Sequence, residues 1–127
     1  MAFILDTNIV INYLDASLPV SGMKMLDKIV DDEPIISVIT KMETLGFKFK
    51  SISEENTMET FINASTILEV SNLVVNKTIV IRKNKKINLP DAIIAASAIV
   101  FDLTLITRNV NDFKNIEGLK LIDPWDV

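Results

Sequence analysis

Asp6, Glu43, Asp91 and Asp112 are the residues whose types and placement in this chain could do chemistry. Asp6 closes the apolar run Phe3-Ile4-Leu5, and Glu43 lies in the first turn after Ile35-Ile36-Ser37-Val38. Asp91 heads the apolar stretch Ala92 to Phe101, and Asp112 follows Leu103 to Ile106 within a few residues. The chain has no His and no Cys, so thiol nucleophiles, Ser-His-Asp triads, zinc fingers and imidazole bases are excluded. Polar catalysis must rest on carboxylates, hydroxyls, amides and Lys/Arg. Four carboxylates drawn together push one another toward neutrality unless a cation is present. The simplest explanation is a divalent metal, and with oxygen ligands only, Mg2+ or Mn2+ is favoured. Such a centre suits phosphoryl transfer, because the ion can activate water and offset charge on the phosphate.

Each acid also has a purely structural reading. Asp6-Thr7-Asn8 suits a helix cap, Glu43 sits three residues after Thr40 at capping-box spacing, and Asp91 is an acid in a helix's first turn. Asp112, Thr107 and Asn109 are ordinary turn formers. What separates the readings is placement, since four unrelated caps need not converge on one edge of a sheet. Cations flank the acids: Arg82-Lys83-Asn84-Lys85-Lys86 precedes Asp91, and Arg108, beside Thr107, is the basic residue expected nearest a substrate. An acidic chain can thereby offer positive flanks to a phosphate backbone, although such a run also suits a solvated helix end.

The elements that must position these residues are read from periodicity. Phe3-Leu5, Ile35-Val38, Leu103-Ile106 and Leu119-Ile122 read as strands. Helices are expected after Asp6, from Ser21, from Thr40, from Ser53, and over Ala92 to Phe101, with Pro90 and Asp91 at the opening of the last. Ile67 to Asn72 has no clear period. Leu73 to Ile81 is rich in β-branched residues, but its polar pair Asn76-Lys77 and its basic end favour a helix. The alternation predicts an α/β domain with a mostly parallel central sheet, helices on both faces, and sites outside the carboxyl ends of the strands.

The chain has 127 residues, a net charge of −4 from 13 basic and 17 acidic side chains, and 49% hydrophobic residues. That length suits one domain, 1–127, with a core that needs no disulfide or structural metal. The N-terminus meets Asp6 before any usable signal segment, and no run approaches the ~20 apolar residues a bilayer requires. The expectation is a cytoplasmic protein without a membrane anchor. Mean hydropathy of +0.34 is high for a small soluble domain, which implies a deeply buried sheet or an apolar surface kept for a partner.

These motifs, in this order, resemble the PIN-domain ribonucleases, and most closely the VapC-type toxins of bacterial and archaeal toxin–antitoxin pairs. Ile4-Leu5-Asp6-Thr7-Asn8 looks like the family's opening acid, and Met42-Glu43-Thr44-Leu45-Gly46 like its helix Glu. Leu89-Pro90-Asp91-Ala92-Ile93-Ile94-Ala95-Ala96 looks like its third acid, and Leu105-Ile106-Thr107-Arg108-Asn109-Val110-Asn111-Asp112-Phe113 like its last motif. Gly118 to Trp125 is similar to the usual tail. The third and fourth motifs are the specific ones. The resemblance implies a PIN-like fold and Mg2+- or Mn2+-dependent cleavage of RNA. It also implies a homodimer and inhibition by a small cognate antitoxin. It makes Asp6, Glu43, Asp91 and Asp112 metal-centre acids supported by Thr107, Asn8 and Asn109. Position 109 is Asn where some relatives carry an acid, so the fourth carboxylate is Asp112 alone.

Rival readings are a housekeeping PIN-domain RNA-processing nuclease and a Mg2+-binding receiver-like signalling domain. The latter fits less well: Asp6 is followed by Thr7 rather than a second acid, and no Lys follows a last strand. A haloacid-dehalogenase-like phosphatase would want an acid at position 8, which is Asn. A PIN scaffold used only for binding would not need all four acids.

Overall fold

The computed structural model describes residues 2–127. Five strands, β1 (Phe3–Leu5), β2 (Ile35–Ser37), β3 (Thr66–Leu68), β4 (Thr104–Ile106) and β5 (Lys120–Ile122), form one sheet in the order β3-β2-β1-β4-β5. Every pairing is parallel, with Leu5 opposite Ile106 and Ser37 opposite Leu68. The helices are α1 (Thr7–Leu14), α2 (Val20–Asp32), α3 (Val38–Leu45), α4 (Ile52–Asn63), α5 (Asn72–Asn84), α6 (Leu89–Val100) and α7 (Val110–Phe113). Among the described residues, no helix is long and apolar enough to cross a membrane.

Side chains of a strand alternate between faces, and here they feed two separate apolar layers. Ile4, Ile35 and Leu105 join Val74 and Ile81 of α5 and the buried alanines of α6 on one face. Leu5, Ile36 and Ile106 join Ile9 and Val10 of α1, Leu26 of α2 and Phe61 and Ile62 of α4 on the other. A strand buried on both faces reads as a continuous apolar run, which is why three-residue strands could be found in the sequence at all.

The edge strand β3 falls partly in the segment without a clear period. Its residues are only partly covered, so they show neither a continuous apolar run nor strict alternation. Leu73 to Ile81 is helical as expected, within α5: Val74, Thr78 and Ile81 share its buried side and Ser71 caps it at Val74 N. Three expected caps are corrected. α2 begins at Val20 after Pro19, without a side-chain cap. α4 is capped by Ser51, two residues before the expected Ser53. α3 is capped by Ser37, whose hydroxyl accepts from Ile39 N, so Thr40 and Glu43 form no capping box. Thr40 is fully buried inside the helix instead.

The C-terminal tail is held against α2. A Cβ on Gly22 would run into the carbonyl of Pro124, so glycine is what permits this approach.

Candidate functional site

The chain order runs β1, β2, β3 outward and then returns to β4 on the opposite side of β1. Neighbouring parallel strands that lead away in opposite directions leave a crevice at their carboxyl ends, here between β1 and β4. Asp6 and Thr107 are the residues that immediately follow those two strands. α6 leads directly into β4 and must run antiparallel to it, which brings its N-terminal residue Asp91 to the same edge. α3 leaves the same edge from β2 and carries Glu43.

Asp6 is only 5% exposed. Its carboxylate caps α1 by accepting from Ile9 N at 2.9 Å, and its own amide donates to the Ile106 carbonyl at 3.2 Å. Burial raises its pKa to about 6. The Thr107 hydroxyl and the Ile9 amide act against that rise, while the charges of Asp91 and Glu43 add to it. Asp91 is half-buried and is also raised, first by desolvation and then by Asp112 and Glu43, with Asn88 opposing. Asn88 caps α6 by accepting from Asp91 N at 2.9 Å and donates from Nδ2 to Asp91 Oδ2 at 3.1 Å. Glu43 accepts from the Thr7 hydroxyl at 2.6 Å, and Thr7 Oγ1 lies 3.0 Å from Thr40 Oγ1. Thr107 is fully buried, and its hydroxyl accepts from Asn109 N at 3.0 Å.

The four acids therefore act on one another electrostatically across one crevice. Among the described residues, no three of them are gathered tightly enough to form a ready-made metal cage. The donor chemistry nevertheless fits a hard divalent cation. All the candidate ligands are carboxylate oxygens, and Asp6 and Asp91 hold protons more tightly than ordinary carboxylates, first through burial and then through neighbouring acids: Asp91 and Glu43 for Asp6, Asp112 and Glu43 for Asp91. A bound cation offsets that repulsion.

Residues 3–119 match the family model described as PIN domain. The chain belongs to the PIN-domain family. Solved structures resemble this PIN domain along nearly its whole length. VapBC2 of Rickettsia felis, bound to a DNA fragment from their promoter, has a TM-score of 0.81 at 25% identity, covering 97% of this chain and 98% of that one. A toxin–antitoxin complex from Klebsiella pneumoniae has a TM-score of 0.76 at 29% identity, covering 99% and 100%. DNA-bound VapBC from Salmonella typhimurium has a TM-score of 0.79 at 26% identity, covering 98% of each. No curated protein matches the sequence.

In the PIN crevice, Asp112 is exposed on α7 and borders, with Asp91, a cleft also lined by Arg82, Lys85 and Lys86. Lys83 lies beyond that cleft, in the neighbouring hollow with Ile79 and Leu89. Arg108 is directed elsewhere: its guanidinium carbon lies over Trp125, 4.2 Å from the ring centre. Asn8 is exposed on α1, and Asn109 precedes α7 without a side-chain cap. Thr7 and Asn88 were given no role of their own from sequence, and Thr40 was read as a capping-box partner of Glu43; in the structure Thr7 holds Glu43 and is met by Thr40, and Asn88 holds Asp91. Asn88 had a usable signal, because it stands three residues before Asp91 with Pro90 between, the spacing of an N-cap.

The buried acid makes stability pH-dependent in metal-free buffer. Its folded pKa of about 6 lies above the ordinary 3.8, so between those values the folded state holds a proton that the unfolded chain has released. Stability therefore falls as pH rises through that window, by up to about 3 kcal/mol for a shift of this size. Urea midpoints in EDTA should drop between pH 4 and pH 6.5, and Asp6→Asn should flatten the trend. A midpoint that climbs over this range would contradict the environment assigned to Asp6.

Proposed function

We propose that the chain is a divalent-metal-dependent endoribonuclease, the toxin of a type II toxin–antitoxin pair, with Asp6, Glu43, Asp91 and Asp112 as its metal and catalytic acids. The observation that carries this reading is the electrostatic convergence of these acids at the β1/β4 crevice of a PIN domain. When bound, Mg2+ or Mn2+ supplies the charge that lets water attack a phosphodiester near neutral pH. The chain's own part is orientation. Asp6 is fixed by the Ile9 amide, Asp91 by Asn88 and Glu43 by Thr7, so that none needs to reorganise when charge develops on the phosphate. Thr107, Asn8 and Asn109 support the acids, and Arg82, Lys83, Lys85, Lys86 and Arg108 are the cations available to the RNA backbone.

The test is incubation of the purified chain with single-stranded RNA in Mg2+ or Mn2+, followed by end-group analysis. Attack by water that breaks the P–O3′ bond, with the proton passing to the departing 3′-oxygen, leaves 5′-phosphate and 3′-hydroxyl ends. Cyclic 2′,3′-phosphate ends would mean that the ribose hydroxyl is the nucleophile and would overturn the mechanism.

The partner reading rests on two apolar surfaces and on the similarity to VapBC2 of Rickettsia felis and to the toxin–antitoxin complex from Klebsiella pneumoniae. α5 leaves Leu73, Val75, Ile79 and Val80 exposed, which suits a symmetric homodimer in which each copy covers the other's patch. Ile11, Leu14, Phe47, Phe49 and Met58 line a cleft between α1, α4 and the α3–α4 loop, which suits an amphipathic antitoxin segment. A basic side chain of that segment placed at the acids would inhibit by taking the cation's role. Solution mass should be that of a dimer, and Ile79→Glu should lower it to a monomer. A small protein encoded beside this chain's gene, where the toxin reading requires one, should bind and inhibit, and should bind less tightly to Asp91→Asn. A monomer indifferent to that protein would leave a housekeeping PIN nuclease, cytoplasmic like the toxin reading, as the better account.

A further inference from the structure

Two sets of cations stand at the carboxyl edge on opposite faces of the sheet. Arg82, Lys85 and Lys86 border the Asp91–Asp112 cleft on the face of α5 and α6. Arg108 lies over Trp125, and Trp125 packs with the apolar layer of the other face. Asp6 and Thr107 lie between them, at the ends of β1 and β4. Among the described residues the ion pair that forms is Lys120–Asp102, which engages none of these cations; Arg82 Nε donates to the Ile87 carbonyl at 3.3 Å, which leaves the other N–H groups of its guanidinium for phosphate.

Trp125 is itself held in place. Its amide donates to Asp123 Oδ1 at 2.8 Å, the Asp126 amide closes the turn on the Asp123 carbonyl at 3.0 Å, and Pro124 is pressed against Gly22. An arginine laid on a fixed aromatic face is already ordered before a ligand arrives, so less conformational entropy is lost on binding.

The geometry points to Trp125 as a positioning residue that presents Arg108 as a second RNA anchor. A single strand would then run from the Arg82–Lys85–Lys86 cleft, across the acids, to the Arg108–Trp125 stack on the opposite face. This rests on the nuclease reading above, and its test is therefore made on binding rather than on cleavage.

Affinity of the full chain for a short fluorescent single-stranded RNA is measured by anisotropy in Ca2+ over a salt series. Arg108→Ala should weaken binding about fivefold and make the log–log salt slope shallower by about 0.7, the loss of one phosphate contact on a single strand. Trp125→Ala should weaken binding similarly in wild type yet change little in the Arg108→Ala background, and Trp125→Phe should restore near-wild-type affinity. Combined Arg82→Ala and Lys85→Ala should add fully to Arg108→Ala, since the two anchors are separate. Wild-type affinity and salt slope in Arg108→Ala, or no RNA binding by the wild type, would overturn the path. Additive losses from Trp125→Ala and Arg108→Ala would overturn the positioning role. A wild type that binds in this pattern but cuts no RNA supports the path and instead removes the nuclease reading.

Discussion

Asp91→Asn and Asp6→Asn should each lower RNA cleavage by roughly 10²-fold or more, the scale expected when one preorganised charged or polar group at a reacting centre is removed. Both variants should fold, and in metal-free buffer at pH 7 both should melt above the wild type. The reasoning starts from the local structure. Asp6 caps α1 through a carboxylate oxygen that accepts from Ile9 N, and an Asn side-chain oxygen can accept the same bond, since Asn and Asp are near-equal caps. Asp91 is held by Asn88 through its backbone amide as well as its side chain, so most of that cap also survives. What the substitutions remove is charge. In the folded protein Asp6 is disfavoured as an anion by burial and by Asp91 and Glu43, and neutralising it relieves that cost. Melting curves in EDTA together with initial rates in Mg2+ separate the two roles. Variants that lose activity only in proportion to lost stability would mean that these acids are caps and nothing more.

That distinction bears on how much of the site was legible in the sequence. Placement of all four acids followed from two features, the apolar runs that end at Asp6 and shortly before Asp112, and the parallel topology that brings such ends to one edge. Both survive in the structure because β1, β2 and β4 are buried on both faces, and burial of that kind leaves a continuous apolar signal. Both edge strands are flanked on one side only, and β5 was legible from the alternation Leu119-Lys120-Leu121-Ile122 between turns, whereas β3 follows α4 after only Ala64 and Ser65, with no turn signal to set it apart. The capping pattern Thr40–Glu43 misled for a similar reason. A capping box is a local rule, and it was overridden by a tertiary contact in which Thr40 meets Thr7 from another helix. Thr7 was read only as part of the cap motif Asp6-Thr7-Asn8, yet it is the hydroxyl that holds Glu43. Sequence spacing cannot show that, because the bond joins residues that only the sheet brings together. Arg108 shows the same limit. Its neighbour Thr107 placed it at the site, whereas the direction of its side chain is decided by Trp125, which comes 17 residues later and is set by the close approach at Gly22.

On the proposed mechanism, chelation should abolish cleavage and Mg2+ or Mn2+ should restore it, with an effect at least as large as the loss of any single acid. A nuclease that retains full rate in EDTA would sink the mechanism. Stability gives an independent view of the same ion. A ligand that binds only the folded state at about a hundred times its Kd adds roughly 2.7 kcal/mol, so the melting temperature should rise with Mg2+ concentration. The pH dependence is the sharper test. Without metal, the folded state prefers protonated Asp6, and stability falls as pH rises from about 4 toward 6. With metal, the ion and the proton compete for the same carboxylate. Asp6 is then ionised in the folded state at lower pH than before, and the fall should disappear or reverse. Asp6→Asn has no proton to exchange at this position, so its stability should vary less over that window than the wild type's, the remainder coming from Asp91, which is also raised. A wild type whose pH profile is unmoved by Mg2+ would show that the ion, if it binds, binds away from both raised acids, Asp6 and Asp91, and would overturn the metal role assigned to them.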